Sequence, residues 1–156
     1  MAAGDDDAAY RAYVRELLAS RDRLAREAAL EALVERPLPA ARAALRELYA
    51  ELDADGPKRD QGARMRVAIV RILATGGDVR DTDIAIRACD TFEKILGEDG
   101  SWQLRTYGLR MLADASPELF PYLAIEHLDD VYLGGSEPAN TAFQLLAGTN
   151  NHALLY

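Results

Sequence analysis

Cys89 is the one cysteine in the chain, so no internal disulfide can form. No apolar run approaches the roughly 18 residues that a membrane span needs, so no transmembrane helix is expected. The opening MAAGDDD is acidic and has no apolar stretch. It does not read as a secretory signal, and a cytoplasmic location is the default expectation. β-branched apolar residues are scarce: Val and Ile together number 12, against 28 Ala and 22 Leu. Ala and Leu lose little entropy in a helix, whereas β-branched residues lose more, so the balance favours helices. No segment alternates with a period of two, and essentially no strand is expected. Positive charge is also short, with 18 Lys and Arg against 26 Asp and Glu and a net charge of −8. Phosphate binding needs clustered positive charge, so the total argues against nucleic acid as a partner. The deficit is uneven. Arg11 to Arg46 holds eight arginines against five acids, whereas Asp81 to Asp130 holds eleven acids and few bases.

What is present is a repeat. Asp60 to Leu73, DQGARMRVAIVRIL, returns at Asp99 to Leu112 as DGSWQLRTYGLRML. A more divergent copy, SRDRLAREAALEAL, occupies Ser20 to Leu33. In each copy an Arg (Arg26, Arg66, Arg105) is followed at +3, +4 and +7 by small or apolar residues. These are Ala29, Leu30 and Leu33, then Ile69, Val70 and Leu73, then Gly108, Leu109 and Leu112. Self-similarity at steps of 40 and 39 residues marks a repeat array.

Cap and breaker signals place about eight helices around these copies. The first is expected over about 7–19, after Asp5 to Asp7, and the next over about 22–35, capped by Ser20 or Asp22. Pro37 closes it, and Pro39 opens a helix to about Asp53. Asp55-Gly56-Pro57 marks a loop, a helix over about 62–75 follows, and Gly76-Gly77 stops it. A helix from Asp81–Asp83 to about Leu96 would bury Ile84, Ala88, Phe92 and Ile95. Helices are then expected over about 102–114, from Ser116-Pro117-Glu118 to about Val131 with Pro121 distorting its first turn, and from Glu137 to about Ala147. Gly134-Gly135 reads as another cap, and His152 to Tyr156 as the first turn of one more helix.

The Asp that opens a unit, followed six positions later by an Arg with an apolar residue before it, resembles the HEAT-repeat family. Asp60 stands with Met65-Arg66, and Asp99 with Leu104-Arg105. The first copy departs, with Ser20 and Ala25 in the Asp and apolar places. The fourth departs further, with Leu133 and Ala139 in the Asp and Arg places. The resemblance covers segments of about residues 20–147. It implies an all-α fold, an α-α superhelix or α-solenoid of about four antiparallel HEAT-like helix pairs, in a single domain over 1–156. It also implies that the Asp and Arg are structural and tie neighbouring units together. One helix pair cannot bury its apolar face alone, which is why such units stack.

The sequence presents no catalytic constellation, and no cofactor or metal is expected. Glu126 and Asp130 lie at i, i+4 beside His127, which makes a weak divalent-cation site conceivable, but a partly buried structural His127 fits the apolar stripe better. Cys89 lies on the apolar side of its helix and reads as a buried small residue rather than a nucleophile. Trp102 reads as packing against an adjacent loop. Neither glycine pair has the spacing or lysine of a phosphate loop.

The fold resemblance implies a non-catalytic scaffold that binds a protein or peptide on the concave face of the array. The second helices of the pairs would line that face, with Arg42, Arg46 and Tyr49, Arg87, Asp90 and Lys94, then Glu118, Tyr122, Glu126 and Asp129 exposed. The partner-binding set is Tyr122, Glu118, Glu126, Asp129, Arg87 and Asp90, and its acidity points to a basic partner. The alternative is an enzyme on the same scaffold, since some HEAT-like proteins are DNA glycosylases and others bilin lyases. A glycosylase needs a basic groove with aromatics and a carboxylate, which the acidic second half opposes. The apolar, weakly charged C-terminal end reads as the front part of a longer array, or as a surface for self-association with another copy.

Overall fold

The computed structural model describes residues 3–132 and 135–149. About 70% of the described residues are helical, with the 3-10 turns included, and nine α-helices lie among them. The first is α1 (Ala3–Ala19), followed by α2 (Arg23–Glu35). A 3-10 turn over Pro39–Ala41 leads into α3 (Arg42–Asp53). A single turn, α4 (Gly56–Arg59), precedes α5 (Arg64–Ala74). A second 3-10 turn over Val79–Asp81 opens α6 (Thr82–Cys89). After α6 come β1 (Lys94–Ile95) and β2 (Glu98–Asp99), then α7 (Trp102–Ala115) and α8 (Phe120–Glu126). The last elements are β3 (Val131–Tyr132), β4 (Gly135–Pro138) and α9 (Ala139–Gly148). Among the described residues no helix is long and apolar enough to cross a membrane.

Local signals set most of these boundaries. The Asp22 carboxylate accepts the Leu24 N–H at 3.1 Å and starts α2. Pro39 sits at the head of its 3-10 turn, where its missing N–H is not needed. Gly76 and Gly77, both at positive φ, turn the chain after α5. The Tyr10 hydroxyl, midway along α1, sits within hydrogen-bond distance of the carbonyls of Ala32 and Arg36 at the C-terminal end of α2, at 2.9 and 2.7 Å. The first two helices therefore run antiparallel.

The apolar positions of all three repeat copies are core. Ala29, Leu30 and Leu33 of α2, Ile69, Val70 and Leu73 of α5, and Leu109 and Leu112 of α7 are all buried. Helices α2, α5 and α7 pack in sequence, and α7 also packs closely on α6. Gly108 makes that closeness possible: a Cβ there would lie 2.9 Å from the Ala88 Cβ and 3.0 Å from the Cys89 backbone nitrogen. Gly108→Ala is therefore expected to destabilise by about 1–3 kcal/mol, because the two helices must separate to admit the methyl group. Urea unfolding measures this; an Ala variant as stable as wild type would mean that α6 and α7 are less tightly fitted than described.

Several boundaries differ from the sequence expectation. The helix expected to continue to Leu96 ends at Cys89. The Ser101 hydroxyl captures the Glu93 N–H at 2.8 Å and donates to the Thr91 carbonyl at 2.9 Å, drawing the chain out of the helix. Leu96 and Gly97, both at positive φ, then close a hairpin of β1 and β2. Phe92, expected in the core, is therefore 67% exposed, and Leu96 is fully exposed. The expectation of no strand is corrected by this hairpin and by a second, β3 with β4. The helix expected from Ser116 to Val131 is only α8, with Pro121 in its first turn and not within its body. The last helix begins at Ala139, and Gly135 belongs to β4 instead of a cap. Phe143 is exposed although Ala142 and Leu146 are buried. Leu133, Gly134 and the expected turn of His152 to Tyr156 lie outside the described residues.

Candidate partner-binding face

Two of the three repeat arginines, Arg66 and Arg105, are buried charges beneath the candidate face, and Arg26 is partly buried. Asp60 is fully buried; its oxygens accept the backbone N–H groups of Met65 at 3.0 Å and Arg66 at 2.9 Å, and Arg66 Nε at 3.2 Å. The Arg66 guanidinium, 1% exposed, then grips Glu93 with two bonds of 2.8 Å. Arg105 repeats the plan. It pairs with Asp99, donates to the Thr91 carbonyl at 3.0 Å, and holds Asp130 at 2.6 and 2.8 Å. Arg26 shows a simpler form, donating to the Ser20 carbonyl at 2.7 Å and to Glu51 at 2.9 and 3.1 Å. Each Arg thus clasps a carboxylate 25, 27 or 25 residues further on: Glu51 near the end of α3, Glu93 in the turn after α6 and Asp130 in the turn after α8.

Burial alone would raise the Asp99 carboxyl, but hydrogen bonds from Arg105 and Ser101 outweigh it and hold it below its ordinary value. Burial likewise opposes ionisation of Asp130, and Arg105 and His127 more than compensate.

A second set of pairs links α3, α6 and α8. Arg42 and Arg46, in the first half of α3, turn inward to Asp81 and Asp78 at the start of α6. Asp53, at the end of α3, accepts Arg87 from late α6 at 3.0 Å. The hydroxyls of Thr82, the first residue of α6, and Ser116, in the turn that leads into α8, meet at 2.6 Å. The rings of Phe92 and His127 stack beyond the two C-termini, 6.4 Å apart. Start meets start and end meets end, so the three helices lie side by side and point the same way.

On this bank the exposed residues recur at the repeat's own steps of 40 and 39. Ala43 is followed by Asp83 and Tyr122, Glu47 by Arg87 and Glu126, and Ala50 by Asp90 and Asp129, all exposed. Five of the nine are acids and one is Arg87, whose charge Asp53 already engages. Among the described residues Glu47, Asp83, Asp90, Glu126 and Asp129 take part in no ion pair, nor does Glu118 in the turn before α8. Tyr122 is 70% exposed and has Leu119 and Ile125 as partly exposed neighbours.

The six residues expected to bind a partner are therefore all at the surface, with Arg87 and Asp90 on α6 and Glu118, Tyr122, Glu126 and Asp129 on or beside α8. Three others expected beside them are not open. Tyr49 is 1% exposed, because the apolar face of α3 is wide enough to include it with Leu45, Leu48 and Leu52. Arg42 and Arg46 are spent on the carboxylates of the next unit. Glu47 and Asp83 fall on the polar faces of their helices in the sequence pattern but outside the expected partner-binding set; continuing the 40- and 39-residue steps from Glu126 and Tyr122 adds both.

The remaining candidates are structural. His127 is 4% exposed and its Nδ1 lies 3.0 Å from Asp130, while Asp130 is held by Arg105, so Glu126 and Asp130 form no open cation pair. Among the described residues no group of three His, Cys, Asp or Glu could hold a metal. Burial pushes the Cys89 thiol up to about 12, with Asp90 adding to it. Trp102 stacks on Tyr132 of β3, with ring centroids 4.9 Å apart. Compared with known proteins, the chain matches no family model, no curated protein and no solved structure.

Proposed function

We propose that the chain is a HEAT-like α-solenoid segment that binds a basic protein or peptide on the face formed by α3, α6 and α8. One observation carries this reading: five exposed acids without an ion-pair partner among the described residues cluster on that face, Asp90 and Asp129 one repeat step apart, beside an exposed Tyr122. The repeated clasps of Arg26, Arg66 and Arg105 support the solenoid arrangement, since each ties one unit's first helix to the end of a later element. Helices α3, α6 and α8 would be the second helices of successive pairs and would form the concave side. Tyr122 supplies a large, amphipathic contact, and the acids steer a basic segment towards it. No catalytic step is assigned. An enzyme on the scaffold, glycosylase-like or bilin lyase-like, is the alternative, and no specific feature of this face favours it. The working location is the cytoplasm, and the exposed Phe143 keeps self-association through the C-terminal end as part of the proposal.

Reversing Glu118, Glu126 and Asp129 to Lys together is expected to weaken the complex at least about tenfold, mainly through slower association. Surface plasmon resonance with the native partner at two salt concentrations checks this. An unchanged affinity would place the interface elsewhere. Duplex DNA is expected not to bind near physiological salt; tight, salt-sensitive binding in a gel shift would favour the enzyme alternative.

A further inference from the structure

A groove of about 400 Å³ runs between α2 and α5, away from the α3, α6 and α8 face. Its floor is apolar, with Leu30 and Met65 buried and Ala68 and Val34 open to it. One wall is acidic: Glu27, Glu31 and Glu35 stand at i, i+4 and i+8 on α2. The other is basic: Arg64 and Arg71 stand at i and i+7 on α5, with the small Ala68 between them. Opposite charges face each other, yet none of these residues bridges the groove. Glu27 pairs instead with Arg23 on its own helix, and the Arg71 guanidinium lies over the Tyr107 ring at 5.3 Å. Glu31, Glu35 and Arg64 have no ion-pair partner among the described residues.

The spacing identifies what fits between the walls. At 1.5 Å per residue, the acidic row spans about 12 Å and the basic row about 10 Å, which is two helical turns each. A helix laid along the groove presents its own edge residues at the same interval and its apolar stripe to the floor. We propose that this groove binds an amphipathic helix of a partner protein, with Lys or Arg along the edge facing α2, Asp or Glu along the edge facing α5, and an apolar stripe between. A helix of one charge would repel one wall. The two-signed walls therefore select for a helix of two-signed edges. This surface is separate from the acidic face proposed above, and the chain has two docking sites on different helices.

The probes are labelled helical peptides of four turns with the same leucine stripe. One carries Lys on one edge and Glu on the other, one carries Lys on both, one carries Glu on both, and one is a scramble of the first. Fluorescence anisotropy is expected to show the two-signed peptide binding wild type about three- to tenfold tighter than the other three. In Glu31→Lys/Glu35→Lys, where both walls are basic, the all-Glu peptide is expected to take first place. Both substituted positions are exposed, and circular dichroism confirms that the fold is retained. A rank order that the double variant leaves unchanged, a scramble that binds as well, or no binding by any peptide would overturn the proposal. So would a wild-type dimer in light scattering that the double variant dissociates, since a second copy would then be the occupant.

Discussion

Arg66→Ala is expected to destabilise the protein by about 3–5 kcal/mol, the largest effect of any single substitution considered. The guanidinium is 1% exposed, and truncating it strands Asp60, which is wholly buried, and Glu93, which it holds through two bonds. Most of that cost is the charge left without a partner inside the fold, so Arg66→Lys is expected to restore only part of it. Lysine keeps the charge but cannot make the forked pair with Glu93 while also bonding Asp60. Gly56 adds a steric limit, because its backbone lies directly against the Arg66–Glu93 pair. Urea unfolding of the three proteins checks the order; wild-type stability in Arg66→Ala would show the clasp to be energetically idle.

The same clasps set a pH dependence. Asp99 and Asp130 have folded-state values below the ordinary carboxylate value of 3.8. A depressed carboxylate contributes stability that is fully present above its unfolded value and is lost as pH falls through the folded one. Stability is therefore expected to hold from neutral pH to about 5 and to decline on further acidification.

Leu109→Ala is expected to cost about 2–5 kcal/mol, through lost burial and the cavity left behind. Leu109 is fully buried in α7, the helix that touches α5, α6, α8 and α9, so few neighbours are free to collapse into the gap. Thermal unfolding measures it, and an unchanged midpoint would show that this face of α7 is not core.

The parts of the fold legible in the sequence were those encoded locally. Asp60 and Arg66 sit six residues apart, and the apolar positions after each Arg follow helical spacing, so the repeat and its core face could be read directly. The carboxylates that complete the clasps could not. Glu93 and Asp130 lie in turns where the residue pattern favoured continued helix, and their distance from Arg66 and Arg105 has no local signature. The hairpin at Lys94 to Asp99 was hidden for a related reason. Strands of two residues are too short to show alternation, and Leu96-Gly97 reads equally well as a helix exit. Six exposed positions of the candidate face were named from the second half of the chain, where acids dominate. Glu47 and Asp83 read as polar-face residues, but a regional charge pattern does not join them to that set, whereas the repeat step does. Tyr49 was misplaced because a polar tip on an aromatic ring reads as surface, whereas here the ring is wholly inside.

The proposed role requires a basic partner to dock on the face of α3, α6 and α8. Site-directed photo-crosslinking in cells of origin tests it most directly. A photoreactive residue at Tyr122 or at Asp90 is expected to capture the same basic protein. The same residue at Glu16, exposed on α1, is expected to capture none of it. Capture at Tyr122 and Asp90 is expected to disappear when Glu118, Glu126 and Asp129 are reversed to Lys. Equal capture at Glu16, or capture that survives the reversal, would contradict the account.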